Sequence, residues 1–161
     1  MDTWRMEFSG RLLRRGFWLY IWDIKHDKSR HLYVGRTGDS SSANASSPFR
    51  RIGQHLETKV NAKGNALGRC LKRAGIHAES CIFKMTAVGP LFDEEKTFQA
   101  HVIPRDKTAA LERALADELR KRGYKILGDH PRAGSFDESL FEEILTLIND
   151  TFPPLPGSSA A

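Results

Sequence analysis

FWLYIWDIKHDKSRHLYVGRT, residues 17–37, decides the fold, because it holds two apolar runs separated by a fully polar turn. Both runs are rich in aromatic and β-branched side chains, so the stretch predicts an antiparallel hairpin. Side chains alternate across a strand, which places Leu19 and Ile21 on a core face and gives Tyr20 and Tyr33 a common surface on the other face. The alternative interpretation is an ordinary half-buried hairpin with aromatic cross-strand pairs.

The length and composition indicate one domain with a core of its own. The chain has 161 residues and two cysteines, Cys70 and Cys81, which we expect to be buried thiols and not a disulfide or a zinc site. No apolar run reaches transmembrane length, and Met1–Arg15 carries scattered charges without the apolar centre of a signal peptide. The expectation is a soluble, intracellular protein located in the cytoplasm, without a membrane partner and of unknown oligomeric state.

The charge is distributed unevenly. Residues 1–75 hold 15 Lys and Arg against 6 Asp and Glu, a net of +9, whereas residues 76–161 hold 10 against 14, a net of −4. A basic half that contains the hairpin favours a phosphate-bearing partner, since neutralising phosphates and releasing their counterions drives nucleic-acid binding. A solvated charged surface without a partner is the alternative.

The remaining pattern predicts an α/β chain of the α+β type, with a small, three-stranded, mostly antiparallel sheet flanked by helices. A single domain is expected over residues 1–150, with its core at about 17–128. The predicted elements are helices from Pro48 to about Lys59, Asn65–Ala74, Thr108–Arg122 and a C-terminal helix over 137–149, with a third strand at Ser80–Val88. A short helix within 89–107 is expected to end before Pro104, and residues 151–161 are expected to form a disordered tail.

Three polar side chains on these helices are candidate site residues. Arg51 and His55 lie four apart, so they share a helix face and can point at one ligand. Glu112 lies beside the Leu111, Leu115 stripe, where a carboxylate can face into a site. The alternatives are a solvated Arg and His pair and a surface Glu that complements the helix dipole.

Taken together, these motifs resemble the GIY-YIG nuclease superfamily over about residues 17–128. Trp18-Leu19-Tyr20 resembles the first triplet through its Tyr, and Tyr33-Val34-Gly35 resembles the second, continued by Arg36-Thr37. The spacing of Arg51 and His55 and the placement of Glu112 after Leu111 are similar to the family's helical motifs. Ile126-Leu127 is followed by Gly128, where the family usually has Asn, so the hydrogen bonding of that amide is missing or comes from Asp129 or His130.

The resemblance implies a DNA endonuclease that hydrolyses phosphodiester bonds with a single divalent cation, Mg²⁺ or Mn²⁺. It implies that Glu112 holds the metal, that Arg51 braces the phosphoryl charge, and that Tyr20 deprotonates the water. It gives Tyr33, Arg36 and His55 the task of orienting the water or the phosphate. The choice of base among Tyr20, Tyr33 and His55 stays open. All of these side chains are expected to converge on one open, basic cleft.

Two other functional classes stay open at this point. One is a nucleic-acid-binding module of the same fold that does not cleave, which Gly128 in the usual Asn position favours. The other is a basic globular protein with a different partner and no catalysis. Metal-dependent cutting of DNA separates the nuclease from both, and salt-sensitive binding without cutting separates the latter two.

Overall fold

A computed structural model describes residues 1–40, 42–59, 62, 64–130 and 134–158, and within them the predicted α+β class is confirmed. Three strands, β1 (Phe17–His26), β2 (Ser29–Arg36) and β3 (Ile82–Phe92), form a sheet in the order β2-β1-β3. Both pairings are antiparallel. The α-helices of the described ranges are α1 (Pro48–His55), α2 (Ala66–Arg73), α3 (Phe98–Lys121) and α4 (Glu138–Ile148). Met1–Arg15 contains a short 3₁₀ turn at Gly10–Leu13.

The hairpin forms as predicted, but both of its faces are buried. On one face Leu19, Ile21, Leu32 and Val34 pack with Leu111 and its neighbours on α3 and with α4. The other face, which carries Tyr20, Trp22 and Tyr33, packs against Leu67 and Leu71 of α2. Tyr20 and Tyr33 share this face as expected, but helices cover it, and Tyr20 is 1% exposed. A helix pair covers each side, so the central strand β1 is almost entirely apolar.

Helix α1 ends at His55, four residues before the predicted end near Lys59. Leu56 is the C-cap residue, and beyond it the Glu57 carbonyl accepts a hydrogen bond from Asn65 Nδ2 at 2.5 Å. The predicted start of α1 is confirmed, with Ser47 accepting from the Arg50 amide and Pro48 at the first helical position.

Helix α3 runs through Pro104, so the predicted helix end before this proline is wrong. A proline inside a helix removes one backbone hydrogen bond and costs about 3 kcal/mol. One tertiary contact and one hydrogen bond within the helix oppose that cost here. His101 is fully buried with Nε2 2.9 Å from the Gly38 carbonyl oxygen, and Thr108 Oγ1 donates to the Pro104 carbonyl at 2.6 Å. Thr97 caps the helix by accepting from the Ala100 amide.

The chain after α4 packs on the body, which corrects the expected disorder of residues 151–161 for their described part, 151–158. Phe152 is fully buried and its carbonyl accepts from Arg122 NH1 at 2.9 Å. Tyr124 Oη donates to the Pro153 carbonyl at 2.8 Å. Residues 159–161 lie outside the described ranges. The PPLPG composition suggested disorder, but a single buried aromatic side chain anchors the segment.

Two further features bear on the expectations from sequence. Ile126 pairs in parallel with Leu32, so the segment after α3 covers the outer edge of β2. Cys70 is a buried free thiol, and Cys81 is a partly buried one. Within the ranges that the structure describes, none of the helices combines the length and the apolarity needed to cross a bilayer.

The packing of Phe152 yields a stability prediction. Phe152→Ala should lower the free energy of unfolding by about 3–5 kcal/mol, because it removes a fully buried ring and leaves a cavity beside Tyr124. Urea denaturation followed by circular dichroism measures the change. Leu147→Ala is the matched control, since Leu147 on α4 is 70% exposed and its loss should be within about 0.5 kcal/mol. Equal stability of Phe152→Ala and the parent would contradict the packed C-terminus.

Candidate functional site

All six candidate residues line one cavity of about 260 Å³ at the carboxyl end of β2. The lining residues are Tyr20, Tyr33, Arg36, Asp39, Arg51, His55, Gly64, Ala66, Arg69 and Glu112. The convergence expected from the sequence is therefore present, although both tyrosines are buried and the site is less open than expected. Glu112 comes from the helix on the opposite face of the sheet, and its carboxylate reaches this cavity past the end of β2.

Tyr20 is held by two hydrogen-bonding partners inside the cavity. Its hydroxyl lies 2.5 Å from His55 Nε2 and 3.2 Å from the Arg36 carbonyl oxygen. Burial raises the pKa of Tyr20 well above its usual value, and the positive charge of Arg51 opposes the shift only in part. Tyr20 is therefore a protonated phenol at neutral pH.

Gly35 makes room for the Tyr20 ring. The two residues are directly opposite each other in the β1–β2 register. A Cβ built at position 35 would lie 2.5–2.7 Å from Tyr20 ring and hydroxyl atoms, closer than any real contact. The glycine of the YVGRT stretch is thus required by the close approach of the catalytic candidate on the neighbouring strand.

His55 is neutral in this environment. Burial and the neighbouring Arg51 lower the pKa of His55 to about 4. The His55 ring packs against both phenols, with centroid distances of 5.5 Å to Tyr20 and 5.4 Å to Tyr33. Burial, followed by the negative charge of Glu112, raises the pKa of Tyr33 as well. The three candidate bases thus all rest in their uncharged forms.

Arg36 and Glu112 form an ion pair across the mouth of the cavity. Arg36 Nε donates to Glu112 Oε2 at 2.9 Å, and both side chains are less than one-fifth exposed. Burial raises the pKa of Glu112, while Arg36 acts in the opposite direction. Glu112 Oε1 has no hydrogen-bond partner among the described residues.

Arg51 is fixed by an acidic partner that the sequence analysis missed. Its guanidinium donates to the Asp39 carboxylate, to Gln54 Oε1 at 3.1 Å and to the Arg36 carbonyl at 3.3 Å. Asp39 follows Gly38 immediately after the Arg36-Thr37 exit of β2. The sequence did contain one signal for Asp39 as a site residue: it is the single carboxylate in a loop of small residues directly after the hairpin.

Three buried nitrogen atoms around the cavity have no hydrogen-bond partner within the described ranges. They are Arg36 NH1, Arg51 Nε and His55 Nδ1. Buried polar groups are nearly always paired, and leaving a charged donor unpaired is costly. Guanidinium N–H groups can be satisfied only by acceptors, so the arrangement fits an anionic ligand such as a phosphate.

A divalent cation would have few protein ligands here. No group of three His, Cys, Asp or Glu side chains suited to a metal is found in the described part of the chain. The cavity nevertheless offers Glu112 Oε1 and the half-exposed carboxylate of Asp39. Mg²⁺ commonly binds through one or two carboxylates together with water and phosphate oxygens, so this donor set fits it.

Asp129 and His130, the two residues expected to supply the hydrogen bonding that Gly128 cannot, do not line the cavity. Asp129 is almost fully exposed, 3.9 Å from Arg73. His130 is buried, but its Nε2 lies 3.1 Å from the Val34 carbonyl oxygen on the outer edge of β2. Neither residue therefore supplies a hydrogen bond inside the cavity, which leaves the alternative that the hydrogen bonding of this amide is missing.

Comparisons with protein-family models, with curated proteins and with solved structures found no match for this chain.

The lowered pKa of His55 predicts acid sensitivity. Below the unfolded-state pKa of about 6.5, His55 takes up a proton in the unfolded chain but stays neutral in the folded chain until about pH 4. The free energy of unfolding should therefore fall by about 3 kcal/mol between pH 6.5 and pH 4 through this residue.

His55→Gln should remove this contribution. Urea titrations at pH 7.0 and 4.5 should show a smaller loss of stability for His55→Gln than for the parent. The control is His77→Gln, because His77 is exposed, and this variant should lose as much stability as the parent. Identical losses for all three proteins would mean that His55 is not buried in its neutral form.

Proposed function

We propose that this chain is a metal-dependent DNA endonuclease of the GIY-YIG type that hydrolyses phosphodiester bonds with one divalent cation, Mg²⁺ or Mn²⁺. The observation that carries the proposal is the set of unpaired buried donors of Arg36, Arg51 and His55 beside the Glu112 carboxylate. Phosphodiester hydrolysis needs donors for the phosphoryl oxygens, a carboxylate for a hard cation and a route for the proton of the attacking water. The proposal places this activity in the cytoplasm.

The two arginines are suited to different parts of the phosphate. Arg51 is oriented by Asp39 and Gln54, which leaves its Nε free to donate to a phosphoryl oxygen. Arg36 can donate through NH1 while Nε stays on Glu112. Donors that are already oriented stabilise the charge that develops in the transition state without reorganising.

Glu112 Oε1, with Asp39 beside it, would hold the cation, which when bound would polarise the phosphate and help to neutralise its charge. The ion pair with Arg36 keeps the Glu112 carboxylate in position for that role. Because burial raises the pKa of Glu112, metal binding should weaken as the pH falls toward this raised value.

The geometry favours Tyr20 as the group that receives the proton of the water. The Tyr20 hydroxyl cannot start as a phenolate at neutral pH, so it must pass on its own proton as it accepts one. His55 Nε2 is 2.5 Å away and accepts that proton when its tautomer carries hydrogen on Nδ1. Tyr33, which packs on the same imidazole, would orient the water or the phosphate.

A second candidate function is a catalytically impaired module that binds nucleic acid. Two observations favour it: Arg36 already neutralises Glu112, and Tyr20 has a strongly raised pKa. Both candidates share the anion-binding donors. Incubation of the protein with duplex, branched and single-stranded DNA, with Mg²⁺ or Mn²⁺ and with chelator, separates them.

Variants of the site residues test the catalytic proposal. Glu112→Gln keeps the size of the side chain and removes the charge, so the rate of DNA cleavage should fall by several orders of magnitude while affinity changes little or rises. Glu118→Gln is the control, because Glu118 lies on the same helix but pairs with Arg122. Cleavage by Glu112→Gln at the parental rate would show that Glu112 is not the carboxylate that holds the metal.

Arg51→Ala should lower turnover about a hundredfold, as the loss of one oriented donor does elsewhere. Tyr20→Phe should also lose turnover, together with about 1–3 kcal/mol of stability, because it leaves buried His55 without its partner. Single-turnover cleavage rates and urea denaturation measure the two effects separately. A Tyr20→Phe protein that cleaves normally would exclude Tyr20 from the proton transfer.

DNA binding is expected to be mainly electrostatic and weakly selective for sequence. Affinity should fall well over tenfold between about 50 and 200 mM salt, because even a few phosphate contacts release counterions. Fluorescence anisotropy with two unrelated duplexes measures both properties. Unchanged affinity across this range would contradict binding through Arg36, Arg51 and Arg69.

A further inference from the structure

A second cavity lies on the other side of α2 from the site cavity. It measures about 370 Å³, and its lining residues are Leu56, Glu57, Thr58, Asn65, Gly68, Leu71, Lys72, Gly75, Ile76, His77 and Ala78. We call it the α2 groove. Its volume lies within the usual range of small-ligand sites, roughly 300–1,000 Å³.

The α2 groove and the site cavity share one stretch of chain. Gly64, Ala66 and Arg69 line the site cavity, whereas Asn65 and Gly68 line the α2 groove. The two cavities therefore lie on different faces of α2, and a helix has a diameter of about 10 Å. A strand whose phosphate contacts Arg69 and Arg51 can place an attached nucleoside in the groove.

The walls of the groove suit a flat group with apolar faces and a polar edge. Leu71 and Ile76 provide a buried aliphatic floor, and Lys72 adds an exposed positive charge at the rim. Asn65 Oδ1 is buried and has no hydrogen-bond partner among the described residues, while its Nδ2 is fixed on the Glu57 carbonyl. The unpaired oxygen can accept an N–H from a base edge.

Gly68 supports the position of that amide. A Cβ at residue 68 would lie 2.3 Å from Asn65 Oδ1. Glycine inside a helix is less favourable than alanine by about 1 kcal/mol, so its presence in α2 has a local disadvantage. The close approach of the Asn65 amide gives a reason for it.

We propose that the α2 groove binds an unpaired nucleobase of the strand whose phosphate occupies the site cavity. This inference rests on the proposed function and narrows its substrate to nucleic acid with at least one unpaired nucleotide. Every base offers two apolar faces and an N–H at its edge, so the groove would select unpaired structure more than sequence. Extruding a base is least costly where it is already unpaired, which gives this selectivity a physical basis.

The test compares two labelled single-stranded DNA 10-mers by fluorescence anisotropy at one low salt concentration. One has a mixed base sequence, and the other is abasic at every position, so that it keeps the phosphates alone. The parent should bind the base-bearing strand about tenfold more tightly. Equal affinity for the two strands would overturn the proposal that the α2 groove binds a base.

Two variants localise the effect. Ala78→Phe fills the groove and Gly68→Ala displaces the Asn65 amide, so both should bind the base-bearing strand only as tightly as the abasic one. Ala74→Phe is the matched control, because Ala74 is exposed at the end of α2 and does not line the groove; it should keep the parental preference. Retention of the preference by both groove variants would also overturn the proposal.

Arg51→Ala separates this inference from the proposed function. It should weaken binding of both strands by the same factor, since it removes a phosphate contact. If Arg51→Ala weakens both strands but the parent shows no preference for bases, the groove proposal fails and the phosphate site stands. If the parent binds neither strand, both proposals fail.

Discussion

Arg36 joins four elements of the fold at one point. Its carbonyl oxygen accepts hydrogen bonds from Tyr20 on β1 and from Arg51 on α1, and its guanidinium binds Glu112 on α3. The next residue, Thr37, is fully buried and bonds both Gly16 and Trp18, which fixes where the chain leaves β2. A shift of β2 by one residue would send the Arg36 side chain to the opposite face, so the hairpin register and the geometry of the cavity are one constraint.

Some buried hydrogen-bond donors of the cavity residues have no acceptor among the described residues. Glu112 and Asp39 each neutralise one arginine, yet Arg36 and Arg51 retain buried N–H groups without acceptors in the described part of the chain. Burial also holds the phenols and His55 in their uncharged forms. A purely structural network would be expected to satisfy its own donors, because unpaired buried polar groups destabilise the folded state. The three residues with such atoms that line this cavity are Arg36, Arg51 and His55, and their clustering is the physical reason for proposing an anionic ligand there.

The sequence predicted what depends on local pattern. Strand alternation placed Tyr20 and Tyr33 on one face, the Ser47-Pro48 cap located α1, and the spacing of Arg51 and His55 put both side chains in the cavity. Predictions failed where distant contacts outweigh local preference. Helix α3 continues through Pro104, where buried His101 ties the helix to the Gly38 carbonyl, and the C-terminal segment packs on the body because Phe152 enters the core.

The periodicity of the sequence could not predict that Asp39 contacts Arg51 or that the two tyrosines are buried. Asp39 lies in a loop of small residues, where no pattern of 2 or 3.6 residues indicates the direction of a side chain. Tyr20 is buried because α2 packs over it, and that docking depends on Leu67 and Leu71, some 50 residues further along the chain. Sequence spacing identifies residues that share a face of one element. It does not report which other element covers that face.

Gly128 stands where the resembled family usually has Asn, and the local backbone gives a structural reason for the glycine. Its φ is +86°, a backbone conformation that residues other than glycine rarely adopt. A Cβ there would lie 3.3 Å from Cys70 Sγ and 3.4 Å from the Tyr33 ring. The distance to Tyr33 is an ordinary contact and the one to Cys70 is only slightly tighter, so the strain of another residue here comes mainly from the backbone. In this chain, glycine at position 128 therefore follows from the left-handed backbone after Leu127, while Tyr20 and Arg51 take their hydrogen bonds from the Arg36 carbonyl and from Asp39.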